Sequence, residues 1–170
     1  MNFRDATTAD AAFVASFINR AYRGEEAKRG WTTEAEILDG IRTSTEELSE
    51  LISKPNNRLV LLYDQLHLLG CMHLETNTAQ CYLGMLTVNP DLQNRGLGKK
   101  LLHKAKEIAC ELECPKIVIT VITLRKELIE FYLRYGFRPT ERFIEFPQDP
   151  KFGLAKVPNL QMQYFELLLK

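Results

Sequence analysis

The stretch Leu86-Thr87-Val88-Asn89-Pro90-Asp91-Leu92-Gln93-Asn94-Arg95-Gly96-Leu97-Gly98 starts in an apolar run and breaks at Asn89-Pro90. It then passes through Gln93-x-x-Gly96-x-Gly98. Beyond the glycines, apolar residues recur at Leu97, Leu101, Leu102, Ala105, Ile108, Ala109 and Leu112, the spacing of an amphipathic helix. A strand, a glycine-containing turn and a helix start in that order make an anion site. The first N–H groups of a helix lack intrahelical partners, and the dipole there favours negative charge. Glycine lets a phosphate approach the backbone with no Cβ in the way. Lys99, Lys100 and Lys104 add positive charge near that end; a solvated helix face is the alternative, and the better one for Lys104.

Spacing excludes two familiar phosphate motifs. A P-loop needs Gly where Gln93 stands and Ser or Thr where Lys100 stands, and a dinucleotide fingerprint needs a small residue in place of Leu101. An ordinary strand-to-helix turn with two glycines is the plain alternative.

Working outward, the chain of 170 residues is most simply one domain, residues 1–170, with enough length for a full core. Its 22 basic and 22 acidic residues balance to zero net charge. That argues against a nucleic-acid partner, because phosphate neutralisation by a basic face supplies most of such affinity. No apolar run approaches the roughly 20 residues that span a bilayer, and the first residues lack the apolar segment of a secretory signal. We therefore expect a cytoplasmic protein without a membrane partner, its cysteines (Cys71, Cys81, Cys110, Cys114) reduced and structural. His67, His73 and His103 form no metal-ligand pattern, so no metal is expected.

The remaining elements follow from periodicity and punctuation. Asn2 to Asp5 reads as a short strand, and Thr8 as the cap of a helix with apolar positions Ala11, Ala12, Ala15, Phe17, Ile18 and Tyr22. Gly24 to Gly30 is charged and loop-like. Thr33 offers a cap for a short helix from Glu34 to Leu38, and a further helix runs from about Thr45 to Ser53. Strands follow at Arg58 to Tyr63, Leu66 to Glu75 and Ala79 to Val88. In the last of these Gly84 suggests a bulge or a close backbone approach. Lys116 to Ile122 is a β-branched run suited to a central strand buried on both faces. A helix through Leu124, Leu128, Phe131, Tyr132 and Tyr135 closes at Gly136. Strands at Phe137 to Phe146 and Leu160 to Tyr164 flank a proline-rich loop from Pro147 to Pro158, long enough to suggest a role at a site. The sum is a mixed α/β domain with one central sheet flanked by helices.

The glycine turn closely resembles the pyrophosphate-binding motif of the Gcn5-related N-acetyltransferases (GNAT), which transfer acyl groups from acyl-coenzyme A to amines. A second segment, Leu128 to Phe137 with Tyr132, Gly136 and Phe137, is similar to the helix that follows the fifth strand of that superfamily. From Ala79 to Phe137 the resemblance is continuous. It implies the GNAT-like acyltransferase fold, acetyl-coenzyme A as acyl donor and an amine-bearing acceptor. The backbone of Leu86, Thr87 and Val88 would run beside the pantetheine arm, and the N–H groups of Gln93, Asn94, Arg95, Gly96, Leu97, Gly98 and Lys99 would surround the pyrophosphate. Tyr132 would protonate the leaving thiolate.

Each role has a plainer competitor. Tyr132 read without the family is a core aromatic, Gln93 a turn residue, Arg95 half of a surface salt bridge. Where many members carry an asparagine that bonds the pantetheine, this chain has Arg125, which either pairs with a coenzyme phosphate or solvates the helix start. Tyr82, Glu75, His73 and Glu34 are candidates to take the proton from the amine. A backbone N–H near Val88 is the candidate oxyanion donor. Tyr22, Trp31 and Glu34 are available to a cationic amine, and we expect a small primary amine bound near Trp31 and Glu34. The alternatives to an enzyme are a non-catalytic acyl-coenzyme A-binding regulatory module and a partner-binding protein that keeps the fold. A homodimer is left open.

Overall fold

The computed structural model describes residues 1–30 and 33–169. In chain order the elements are β1 (Asn2–Asp5), α1 (Ala11–Tyr22), α2 (Gly24–Ala27), β2 (Leu38–Asp39), α3 (Thr45–Ser53), β3 (Asn57–Asp64) and β4 (His67–Thr76). They continue with β5 (Cys81–Val88), α4 (Leu97–Glu111), β6 (Lys116–Ile122), α5 (Lys126–Arg134), β7 (Arg138–Glu145), β8 (Leu154–Ala155) and β9 (Gln161–Leu168). Seven strands form one sheet in the order β1-β3-β4-β5-β6-β9-β7, antiparallel except where β5 meets β6. The parallel pair needs a crossover, and α4 supplies it. The result is the expected mixed α/β architecture, one central sheet with helices on its faces.

Alternation along β3 explains the layering. Val60 and Leu62 face a core with Leu101, Leu102, Ala105 and Ile108 of α4, while Leu59 and Leu61 face one with Val14, Ile18 and Leu48 of α1 and α3. Burial on both faces turns these strands into near-continuous apolar runs. Along α4 the apolar positions are buried as their spacing requires, except Leu112, which ends the helix half exposed.

Several local expectations need correction. Thr7, not Thr8, opens the first helical segment: its backbone N–H donates to Asp10 Oδ2 at 2.7 Å, and a 3-10 turn precedes α1. Ala12 lies on the exposed side of α1, where Val14 and Ala21 complete the buried stripe instead. The charged segment after Gly24 folds into the single helical turn of α2. Glu34 to Leu38 is not a helix. It is a turn leading into β2, which pairs with β8 in a separate two-stranded sheet. That pairing also removes the plain-loop reading of Pro147 to Pro158, which contains a 3-10 turn at Pro150–Phe152 and then β8. Leu38 packs there against Ile122, Phe146 and Leu160, a third small core at the end of β6.

Candidate active site

The site starts from a defect in the sheet. β4 and β5 pair in one register at His73↔Gly84 and in another at Cys71↔Thr87, so β5 carries one extra residue between them. The left-handed residue is Met85 (φ 47°), one beyond the glycine expected to mark the bulge. Thr87 Oγ1 donates to the Met85 carbonyl at 2.8 Å, which secures that oxygen. Gly84 has its own reason to lack a side chain: a β-carbon there would lie 3.2 Å from the Tyr82 ring and 3.5 Å from His73 Nδ1. A bulge bends its strand, and β5 pairs with β6 only at Cys81↔Ile117 and Tyr82↔Val118 before the two part. Their divergence leaves a cleft.

Asn89 N–H donates back to Leu69 O at 2.9 Å. Alternation along the strand therefore turns the Val88 N–H the opposite way, toward the cleft.

Two cavities open from the cleft. The first, about 450 Å³, is lined by Leu86 and Val88, by Gln93, Asn94, Gly96, Leu97, Gly98 and Lys99, and by Phe131 and Arg134 of α5 among others. Gly96 caps α4 in the left-handed region (φ 76°), and a β-carbon there would meet nothing within 4 Å, so the turn is open to an incoming group. Of the residues expected at the coenzyme, Thr87, Arg95 and Arg125 do not line this cavity. Thr87 is buried behind the strand, and Arg95 is exposed beside the turn. Phe131 and Arg134 were not foreseen as lining residues.

The second cavity, about 200 Å³, lies beyond the same strands and shares Leu86 and Leu128 with the first. Tyr22, Tyr82, Tyr132, Thr120, Met162 and four charged residues, Arg23, Glu34, Arg42 and Arg125, face it. Tyr132 is 6% exposed, edge-on to Phe131 and Phe137 at 5.4 Å. Burial, with Tyr22 and Tyr82 nearby, holds its phenol well above the ordinary range, so it keeps its proton at neutral pH. Tyr22 donates its hydroxyl to Leu86 O at 2.7 Å, and burial pushes its pKa up to about 12.

Arg125 departs from both readings offered for it. It is 4% exposed, lines the second cavity, and reaches toward Glu34 at 3.9 Å, so it neither lies in the first cavity nor solvates the helix start. Glu34, 9% exposed, is also ion-paired to Arg23 Nη1. Arg23 Nη2 donates to Phe152 O at 3.0 Å, tying the Pro150–Phe152 turn to the end of α1. The carboxylate expected to receive a cationic amine is thus already held by two guanidinium groups. Trp31 lies outside the described residues.

Among the proton-acceptor candidates, Tyr82 lines the second cavity, with its hydroxyl 2.8 Å from Thr120 Oγ1. His73 lies behind Gly84 with Nε2 2.7 Å from Asn57 Oδ1, and burial, aided by Arg42, lowers its pKa to about 4. Glu75 is exposed on β4 and lines neither cavity. Cys71, Cys81 and Cys114 are buried free thiols, and Cys110 is exposed. No group of three or more His, Cys, Asp or Glu among the described residues is arranged to hold a metal. No described helix is long and apolar enough to cross a membrane.

A bulged strand that parts from its parallel neighbour, with a glycine turn at the start of the next helix, agrees with the acyltransferase fold that the sequence resemblance implies. The model of the acetyltransferase (GNAT) domain matches residues 18–147, and the chain belongs to that family of enzymes. Among solved structures, smu.2055 from Streptococcus mutans is 14% identical over the whole of both chains, with a TM-score of 0.74. Spermidine N-acetyltransferase from Vibrio cholerae, solved with CoA and spermine, is 19% identical over 98% of this chain and 94% of that one (TM-score 0.71). A putative streptothricin acetyltransferase from Bacillus anthracis, in complex with acetyl coenzyme A, is 23% identical over 71% of this chain and 66% of its own (TM-score 0.59). These likenesses concern the fold. A comparison with curated protein sequences finds no match.

Proposed function

We propose that the protein transfers an acetyl group from acetyl-coenzyme A to a primary amine of a small molecule or peptide by direct attack on the thioester. The observation that carries this is the pair of cavities meeting at the β5–β6 cleft, with Leu86 and Leu128 common to both. The family match and the neighbours solved with acetyl coenzyme A or CoA support the same donor.

In this reading the donor occupies the first cavity. The N–H groups between Gln93 and Lys99 receive the pyrophosphate, and the backbone from Leu86 to Val88 lies along the pantetheine arm. Lys99 adds positive charge at the turn, while Arg134 is ion-paired to Glu130 and Glu127 also lines this cavity; Arg125 serves the second cavity. The amine enters from that second cavity, and its nitrogen lone pair attacks the carbonyl carbon. As the C–N bond forms, the Val88 N–H stabilises the charge on the carbonyl oxygen. The C–S bond then breaks, and the sulfur takes a proton from Tyr132, which burial keeps uncharged at rest; the tyrosinate left behind regains a proton from solvent, matching the one that nitrogen releases. The surplus proton on nitrogen leaves to solvent through the polar side of the cavity, where Tyr82 and Thr120 stand.

Release of free thiol from acetyl-coenzyme A, measured against a panel of primary amines, tests the proposal. Amine-dependent release is expected. Tight acetyl-coenzyme A binding without release for any amine would favour a non-catalytic module.

A further inference from the structure

The charge of the second cavity points away from the cationic acceptor expected from the sequence. Three arginines and one carboxylate face it, and that carboxylate is already engaged by Arg23 and Arg125. Arg42 makes no ion pair among the described residues. Its guanidinium carbon stands 5.8 Å from the centre of the Tyr22 ring, and its backbone N–H is held by Asn19 Oδ1 at 2.6 Å. Independently, Arg23 is 6% exposed, and its Nε is buried with no hydrogen-bond partner among the described residues. A buried guanidinium N–H without an acceptor is costly, and buried polar groups in folded proteins are nearly always paired. Burial lowers the pKa of Arg23 against the opposing pull of Glu34, as expected for a cation whose solvation is incompletely replaced.

We propose that the acceptor is a small primary amine that also carries a carboxylate, such as a free amino acid, and that Arg42 and Arg23 receive the carboxylate. This inference rests on the acetyltransferase reading for the amine but not for the anion. A guanidinium fork matches a carboxylate with two parallel hydrogen bonds, and such charged bonds are the strong ones. The cavity is small, about 200 Å³, against roughly 300–1,000 Å³ for sites that take drug-sized ligands. Leu83, Ile119, Val121 and Met162 give it an apolar side for a short side chain. The surplus positive charge also disfavours an ammonium group and so favours the neutral amine that the reaction needs. A polyamine meets the opposite conditions: several positive charges against a cationic wall.

The test uses the full chain saturated with coenzyme A or acetyl-coenzyme A, and measures acceptor binding by calorimetry and thiol release in parallel. The probes are L-amino acids, their carboxamides, phosphoethanolamine and spermidine. We expect at least one amino acid to bind about ten-fold or more tighter than its own amide. We also expect Arg42→Gln to abolish that preference while leaving the affinity for acetyl-coenzyme A, measured without acceptor, within about two-fold, and Arg42→Lys to restore part of it. Equal or tighter binding of the amides or of spermidine overturns the proposal, as does binding of no probe. Tightest binding of phosphoethanolamine replaces the carboxylate by a phosphoryl group and overturns it too. Carboxylate-selective binding without thiol release sustains the anion site and refutes acetyl transfer, so the two failures are distinguishable.

Discussion

Replacing Glu34 by Gln removes the one carboxylate in a buried cluster of guanidinium groups. Arg23 and Arg125 have side chains 5% exposed and Glu34 11%, so solvent screens the cluster little. Breaking a buried ion pair by deleting one partner costs about 3–5 kcal/mol, because the remaining charge stays buried without compensation. Two features place this case at the lower end. The Arg125 contact is long at 3.9 Å, and Arg23 keeps its bond to Phe152 O. For a chain of 170 residues, about 3 kcal/mol corresponds to a fall in Tm of about 6–12 °C. Differential scanning calorimetry of the Glu34→Gln variant at neutral pH, without ligands, measures it. A Tm within about 2 °C of the parent would refute the assignment of Glu34 as the internal counter-ion. A carboxylate ligand should recover part of the loss by supplying the missing negative charge, whereas spermidine should not.

Three other substitutions probe separate parts of the site. Gly98→Val starts from a β-carbon 3.4 Å from Phe131 and adds two methyl groups in the first cavity, so acetyl-coenzyme A affinity by calorimetry should fall at least about ten-fold with the fold kept. Wild-type affinity would put the coenzyme elsewhere. Tyr132→Phe should lower kcat by about ten- to ten-thousand-fold with little change in acetyl-coenzyme A affinity, and equal turnover would return Tyr132 to a core aromatic. His73 titrates near 4 in the folded chain against 6.5 in the unfolded one, so between these values the unfolded chain takes up a proton that the folded chain does not. Stability should therefore decline as pH drops from 6.5 toward 4, by about 3 kcal/mol at most, and His73→Gln should flatten that part of the Tm–pH curve. Parallel curves for the two proteins would contradict the burial of His73.

The elements that the sequence made legible are those specified locally. The buried face of α4 repeats at helical spacing, and the Gly96 turn announces its start. α3 begins at Thr45 because Ser44 caps it, its Oγ accepting from Glu47 N at 3.1 Å. β2 was missed for the converse reason. Two residues cannot carry a period, and their partner is β8, far along the chain, so a single turn at Ala35 to Ile37 passed for a helix. Gly84 signals the bulge, but the left-handed residue is Met85, whose carbonyl is held by the Thr87 hydroxyl two residues on, a contact that depends on the bulged backbone itself and on no turn pattern. Arg23 and Arg42 gave no signal among 22 basic residues, because the cationic character of the second cavity arises only when α1, the segment before α3 and the start of α5 converge. Arg125, standing where asparagine is common in the family, was the one local sign that this end of the cleft differs.

The central claim is that donor and acceptor meet across the β5–β6 cleft, so that the acetyl group passes directly from sulfur to nitrogen. Initial rates of thiol release, with acetyl-coenzyme A and the best acceptor varied together, test it most directly. The two-cavity geometry predicts that double-reciprocal lines intersect, as required when both substrates are bound before transfer. Parallel lines, or thiol release at the same rate without any amine, would contradict it.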